Sequence, residues 1–139
     1  MNRRTFIASA AASAIALASP AFAGGETIDY TPGLVDAALE EGKTVFIDYA
    51  ADWCSTCARQ ERVIKALREA NPAYDDAMMF VRVDWDKYGK EDISVFRNIP
   101  RRSTLIVLKG EDELGRIVAG TSEADIKALM DKGLAAAQS

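Results

Sequence analysis

Histidine is absent from this 139-residue chain, and cysteine occurs only twice. A closed zinc site takes four ligands, drawn mostly from those two residue types, so the sequence supplies half of one at best. Positive charge is also in short supply. With 17 Lys and Arg against 21 Asp and Glu, the formal net charge is −4, a balance that argues against nucleic acid as a partner. Internal repeats are missing, and so are low-complexity linkers after the N-terminal segment, which leaves no sign of a repeat array.

The N-terminal segment reads as an export signal covering residues 1–23. Arg3 and Arg4 give a positive start, Phe6 to Ala18 is apolar and alanine-rich, and Ala21-Phe22-Ala23 supplies small residues for cleavage after Ala23, ahead of Gly24. The apolar run is too short to span a bilayer well; an uncleaved membrane anchor is the alternative. Asn2-Arg3-Arg4-Thr5-Phe6-Ile7 resembles the twin-arginine motif, with Asn2 in place of the usual Ser or Thr and no Lys after Ile7, so twin-arginine and general secretory export both stay open. The expected address is the periplasm. Residues 24–139 then form one domain with one core, in which 15 basic residues face 21 acidic ones, about −6.

Both cysteines lie in Trp53-Cys54-Ser55-Thr56-Cys57, directly after an apolar run. A thiolate is the nucleophile of disulfide exchange, and a helix N-terminus stabilises it through unpaired N–H groups and the helix dipole. Cys54 is placed to attack. Cys57, one turn on, is placed to resolve the mixed disulfide by forming an intramolecular bridge. A structural disulfide, a pair of inert buried thiols and half of a metal site are the competing readings; structural bridges usually close longer loops. An oxidising compartment favours structural bridges in general, but adjacency at a helix start argues for redox use.

The hydrophobic pattern orders the elements around this motif. Thr27 to Tyr30 reads as a short strand, Thr31-Pro32 opens a helix to about Glu41, and Gly42 ends it. Thr44 to Ala50 is apolar at nearly every position, as expected of a central strand covered on both faces. A helix from Cys54 to Ala70 follows, stopped by Asn71-Pro72. Met78 to Asp84 is the next strand, and Glu91 to Arg97 a short helix with Ile93 and Phe96 facing inward. Thr104 to Lys109 and Arg116 to Ala119 are strands joined by Gly110-Glu111-Asp112-Glu113. Ser122 caps a last helix that buries Ile126, Leu129, Met130 and Leu134. The fold class is α/β, a central mixed β-sheet with helices on both faces.

Val45 to Cys54, together with Thr104 to Gly110 and the glycine at Gly120, resembles the thioredoxin superfamily over about residues 27 to 137. Ala51-Asp52-Trp53-Cys54 and the export signal are most similar to periplasmic thiol-reducing members, including the soluble reducing domain of the membrane thiol:disulfide interchange transporter. The resemblance implies a thioredoxin fold and a dithiol reaction. It places Asp48 at the family's buried acid, where burial raises the pKa and lets it take or supply the proton of the resolving thiol; a strand-edge ion pair is the plainer alternative. It makes Trp53 a platform for partners, or else simple packing; Trp85 and Tyr88, which follow a strand, are further rim candidates, or else core or surface packing. It puts Pro100, Ser103, Thr104 and Gly120 on the substrate-binding side.

The sequence departs from the family at the loop that normally carries a cis proline before Thr-Leu. Here Ser103 precedes Thr104-Leu105. Either Pro100 is the cis residue and Arg101 to Ser103 are inserted, or Ser103 holds the position; in the second case Ser103→Pro is expected to preserve folding. The change opens substrate choice and metal binding by the thiols as possibilities, and brings Arg101 and Arg102 toward the active face as an acid-attracting pair or an ordinary solvated one. The charged residue that relatives keep near the buried acid falls at Phe80. Ser55-Thr56 does not fix the direction of electron flow.

The expected function is a periplasmic thiol-disulfide oxidoreductase that reduces protein disulfides, fed by a membrane electron donor. An oxidase or isomerase, or a non-catalytic module that holds a partner or a metal, are the alternatives. No organic cofactor and no resident metal are expected, since the dithiol itself carries two electrons, and the chain is expected to be a monomer.

Overall fold

The computed structural model describes residues 25–139. The expected export signal and its cleavage point before Gly24 lie outside them. Five strands, β1 (Thr27–Asp29), β2 (Thr44–Ala50), β3 (Met78–Asp84), β4 (Thr104–Lys109) and β5 (Asp112–Val118), form one sheet in the order β1-β3-β2-β4-β5. β1, β3 and β2 run parallel, while β4 and β5 are antiparallel to their neighbours. The sheet is mixed, as the sequence implied.

β2 is buried at all seven positions, because apolar side chains cover both of its faces. Val45, Ile47 and Tyr49 pack with Val35 and Ala38 of helix α1 (Leu34–Glu40), Tyr88 of α4 (Trp85–Tyr88) and Ile93 of α5 (Asp92–Val95). Phe46 points the other way, into a core shared with α2 (Ser55–Ala70), α3 (Ala73–Ala77) and α6 (Glu123–Ala137). Strand alternation puts Asp48 on that second face, beneath α2.

Several boundaries differ from the sequence reading. Pro72 does end α2, but it also caps the short α3, and α4 was not anticipated. α1 begins at Leu34 after Gly33, whose φ of 88° suits glycine. β5 begins at Asp112 because Lys109 pairs directly with Asp112 across a two-residue turn, in which Gly110 takes a φ of 58°. Phe96, expected inside, is 77% exposed: it follows the four-residue α5 as its C-cap, and within that helix Ile93 and Ser94 are the buried residues. Ser122 caps α6 as expected, its hydroxyl accepting from the Asp125 amide. Among the described residues, no helix is long and apolar enough to cross a membrane.

Candidate active site around Cys54 and Cys57

β2 leaves the sheet at Ala50 and turns through Ala51, whose carbonyl accepts the Cys54 amide at 3.1 Å. Cys54 is the N-cap of the 16-residue α2, with extended backbone, and its sulfur accepts the Cys57 amide at 3.1 Å. The two cysteines form a disulfide, with their Cα atoms 5.3 Å apart. Both are largely covered, Cys54 at 5% exposure and Cys57 at 1%, so the shallower sulfur is the one assigned to attack. Ala50, Ala51 and Trp85 complete this small cluster.

Ser103 lies against the disulfide. Its hydroxyl is 3.2 Å from the Cys54 sulfur and 3.1 Å from the Cys57 sulfur, and the residue is fully buried. Of the two readings left open by the sequence, the structure supports the one with Ser103 beside the dithiol. Pro100 is exposed, and no peptide bond among the described residues is cis. Ser103 has a φ of 63°, and its amide donates to the Tyr49 carbonyl at 2.7 Å. Proline holds φ near −65° and has no N–H. This geometry does not suit proline, so Ser103→Pro is expected to strain the loop and to lose the hydrogen bond to Tyr49.

The loop is held from below by a residue that the sequence reading passed over. Gln60 is fully buried, and its amide nitrogen donates to the carbonyls of Ser103 and Gly120, both at 2.9 Å. Cys54, Cys57 and Gln60 recur at intervals of three, so they share one side of α2; a polar amide in that phase was the available signal. Thr104 is fully buried and donates its hydroxyl to the Arg101 carbonyl at 2.7 Å. Its side chain braces the loop instead of facing a substrate, and Gly120 takes part through its carbonyl.

Trp53 is 61% exposed beside Cys54. Its indole N–H donates to Asp86 at 2.8 Å, and the Arg102 guanidinium lies 4.2 Å over the ring. The Arg102 Nε is buried without a partner. Of the basic pair, Arg102 thus reaches the active face by stacking on the indole. Trp85 packs against the dithiol cluster and Tyr88 belongs to the opposite core.

Asp48 is buried, and its Oδ1 has no hydrogen-bond partner. Burial, reinforced by the nearby charge of Glu61 and opposed by that of Arg82, pushes its carboxyl up to about 7. Asp48, Glu61 and Arg82 line one cavity of about 320 Å³. Arg82 sits opposite Asp48 in the β2–β3 register and bridges outward to Asp52 at 3.0 Å and Glu61 at 3.4 Å. The charged neighbour of the acid is therefore Arg82. Phe80, two residues earlier on the same strand face, stacks near Phe46, with centroids 5.1 Å apart.

A larger cavity of about 600 Å³ lies at the opposite end of the sheet, around Thr44, Met78 and Lys109. It contains none of the residues assigned to the site. Among the described residues, no group of three or more His, Cys, Asp or Glu is placed to hold a metal ion.

Residues 27–106 match a family model described as thioredoxin-like. The chain is 32% identical to Thioredoxin-T of Drosophila melanogaster over 94 residues, a stretch covering 68% of this chain and 56% of that protein. It is 29% identical to Thioredoxin-1 of Saccharomyces cerevisiae over 92 residues, covering 66% and 82% respectively. Among solved structures, Trxlp from Edwardsiella tarda shares 31% identity and a TM-score of 0.62, over 74% of this chain and 98% of that one. Schistosoma mansoni thioredoxin also shares 31% identity and a TM-score of 0.62, over 77% and 94%.

Proposed function

This chain belongs to the thioredoxin-like family, and on that premise we propose that it is an exported thiol-disulfide oxidoreductase that reduces protein disulfides with Cys54 and Cys57. The observation that carries the reading is the Cys54–Cys57 pair at the start of a long helix, with a buried carboxyl, its Oδ1 without a hydrogen-bond partner, on the strand that leads to it.

The Cys54 thiolate attacks one sulfur of the substrate disulfide; a Cys54–substrate bond forms and the other substrate sulfur leaves as a thiolate. Cys57 gives up its proton and attacks the Cys54 sulfur, so the intramolecular disulfide forms and the second substrate thiolate departs. Two electrons pass to the substrate, and two protons make its thiols. Asp48, held near 7, is matched to exchange the Cys57 proton at neutral pH. Trp53 offers an apolar platform at the mouth of the site, with Arg102 adding positive charge above it. Arg3, Arg4 and the alanine-rich run of the N-terminal segment support export to the periplasm with a cut after Ala23. An oxidising compartment does not regenerate a dithiol, so a membrane donor supplies the electrons.

Cys57→Ser is expected to trap a mixed disulfide with a protein substrate, and Cys54→Ser to abolish exchange; a binding module keeps its affinity without Cys54. Equilibration in glutathione buffers gives the direction. A potential near roughly −270 mV supports a reductant, whereas one near roughly −120 mV makes the protein a disulfide donor. Fractionation of cells expressing the full chain tests the address: a mature mass beginning at Gly24 in the periplasm supports it, and the full-length mass in the cytosol contradicts it.

A further inference from the structure

We propose that the Ser103 hydroxyl is a catalytic group of the dithiol reaction, donating its hydrogen bond to whichever cysteine sulfur carries the negative charge, first Cys54 and then Cys57. The proposal deepens the oxidoreductase reading and rests on it.

Three observations converge on the hydroxyl. It lies almost equally far from the two sulfurs, at 3.2 and 3.1 Å, so a rotation of one O–H serves both. Ser103 is fully buried, and a buried hydroxyl needs partners; the two sulfurs are the partners it has. A sulfur in a neutral disulfide is a weak acceptor, whereas a thiolate is charged and accepts strongly. The hydroxyl is therefore better satisfied once the pair is reduced.

The backbone adds the third observation. A φ of 63° at Ser103 is disfavoured for any residue with a Cβ, and glycine adopts it freely. The conformation is enforced from both sides of the residue: its amide donates to Tyr49, and its carbonyl accepts from Ala119 at 2.8 Å and from Gln60 at 2.9 Å. Strain so thoroughly held in place is a mark of functional sites. Glycine would relieve it, and what glycine lacks is the hydroxyl. Of the charged groups at this end of the sheet, Asp48 on β2, Asp52 before α2, Glu61 on α2, Arg82 on β3, Asp86 after β3 and Arg102 before β4, none hydrogen-bonds to a sulfur.

During turnover the hydroxyl keeps its own proton. It first bonds to the Cys54 thiolate, lowering that thiol's pKa. As Cys54 joins the substrate sulfur and loses its charge, the bond moves to the Cys57 thiolate, which then attacks. A bond that is stronger to the reduced pair than to the disulfide favours the reduced form and makes the protein less reducing.

The test uses the full chain with Ser103→Ala and, separately, Ser103→Gly, following thiolate absorbance against pH. A hydrogen bond to a charged group corresponds to about one pKa unit or more, so the Cys54 thiol should rise by about that much in both variants. Above the Cys54 pKa of both proteins, the dithiol–disulfide equilibrium should shift about tenfold toward the disulfide. Exchange with a small disulfide below the thiol pKa should slow only about threefold, because the less acidic thiolate is more nucleophilic. An unchanged Cys54 titration in the glycine variant, or a shift seen with alanine alone, overturns the proposal in favour of a backbone role. Titration needs no substrate, so the two readings fail separately: missing protein-disulfide turnover in the unaltered chain contradicts the oxidoreductase, while intact turnover without a thiol shift contradicts Ser103.

Discussion

α2 buries polar groups at both ends, and the two ends treat them differently. Toward its C-terminus Arg68 is 8% exposed, yet its guanidinium donates to Asp75 at 2.5 Å, to the Thr27 hydroxyl at 2.9 Å and to the Glu26 carbonyl at 3.3 Å, while its plane lies 4.0 Å over Phe80. At the N-terminus, Asp48 Oδ1 and Gln60 Oε1 are buried without partners, and Ser103 is held at positive φ. A buried charge is tolerable when its hydrogen bonds are complete, and the Arg68 end meets that condition. The dithiol end leaves groups unsatisfied where proton and electron transfer need them. The same helix therefore ties down the fold at one end and carries the chemistry at the other.

The largest effect should come from breaking the satisfied end. Arg68→Ala leaves the part-buried Asp75 unpaired and removes the stack on Phe80, so chemical denaturation should show a loss of roughly 3 kcal/mol, with thiol exchange unchanged wherever the variant remains folded. A slowed exchange in folded protein would mean that the two ends are coupled.

Asp48→Asn should act in the opposite sense. Asp48 has its carboxyl raised to about 7 in the fold, from an ordinary 3.8. Below about pH 4 it is protonated folded or unfolded and imposes no cost. As pH rises toward 7 the unfolded chain ionises more readily, and stability falls. The asparagine variant lacks that loss, so it should match the parent near pH 4 and exceed it by up to about 4 kcal/mol at pH 8, while exchanging more slowly. Denaturant midpoints across that range check the crossover, and parallel stability curves would count against it.

Smallest is Glu61→Gln. Glu61 is the second cause of the raised Asp48 pKa, after burial, so its neutralisation should move the Asp48-linked limb of the exchange-rate profile downward in pH without abolishing activity. A limb that moves upward would show that freeing Arg82 from Glu61 does not strengthen its pull on Asp48.

The dithiol could be read from the chain because its chemistry is local: two cysteines one turn apart, after a strand apolar on both faces. β2, β3 and β4 matched for the same reason, since their side chains announce burial without reference to the rest of the fold. α3 and α4 are shorter than two helical turns, so no periodicity marks them, and Pro72 was read only as a stop. Ser103 is 46 and 49 positions from the cysteines it touches, and nothing in the local sequence shows that a loop that far along the chain closes over the sulfurs. Arg82 needed the strand register, and Gln60 needed the helix phase to be followed one step beyond Cys57.

Titration of the Asp48 side-chain carboxyl by carbon NMR in the oxidised protein tests most directly whether the dithiol end of α2 keeps a buried group unsatisfied. A midpoint near 7 is the expected result, and a midpoint near 4 would mean that the carboxyl is solvated or paired and would contradict the contrast between the two ends.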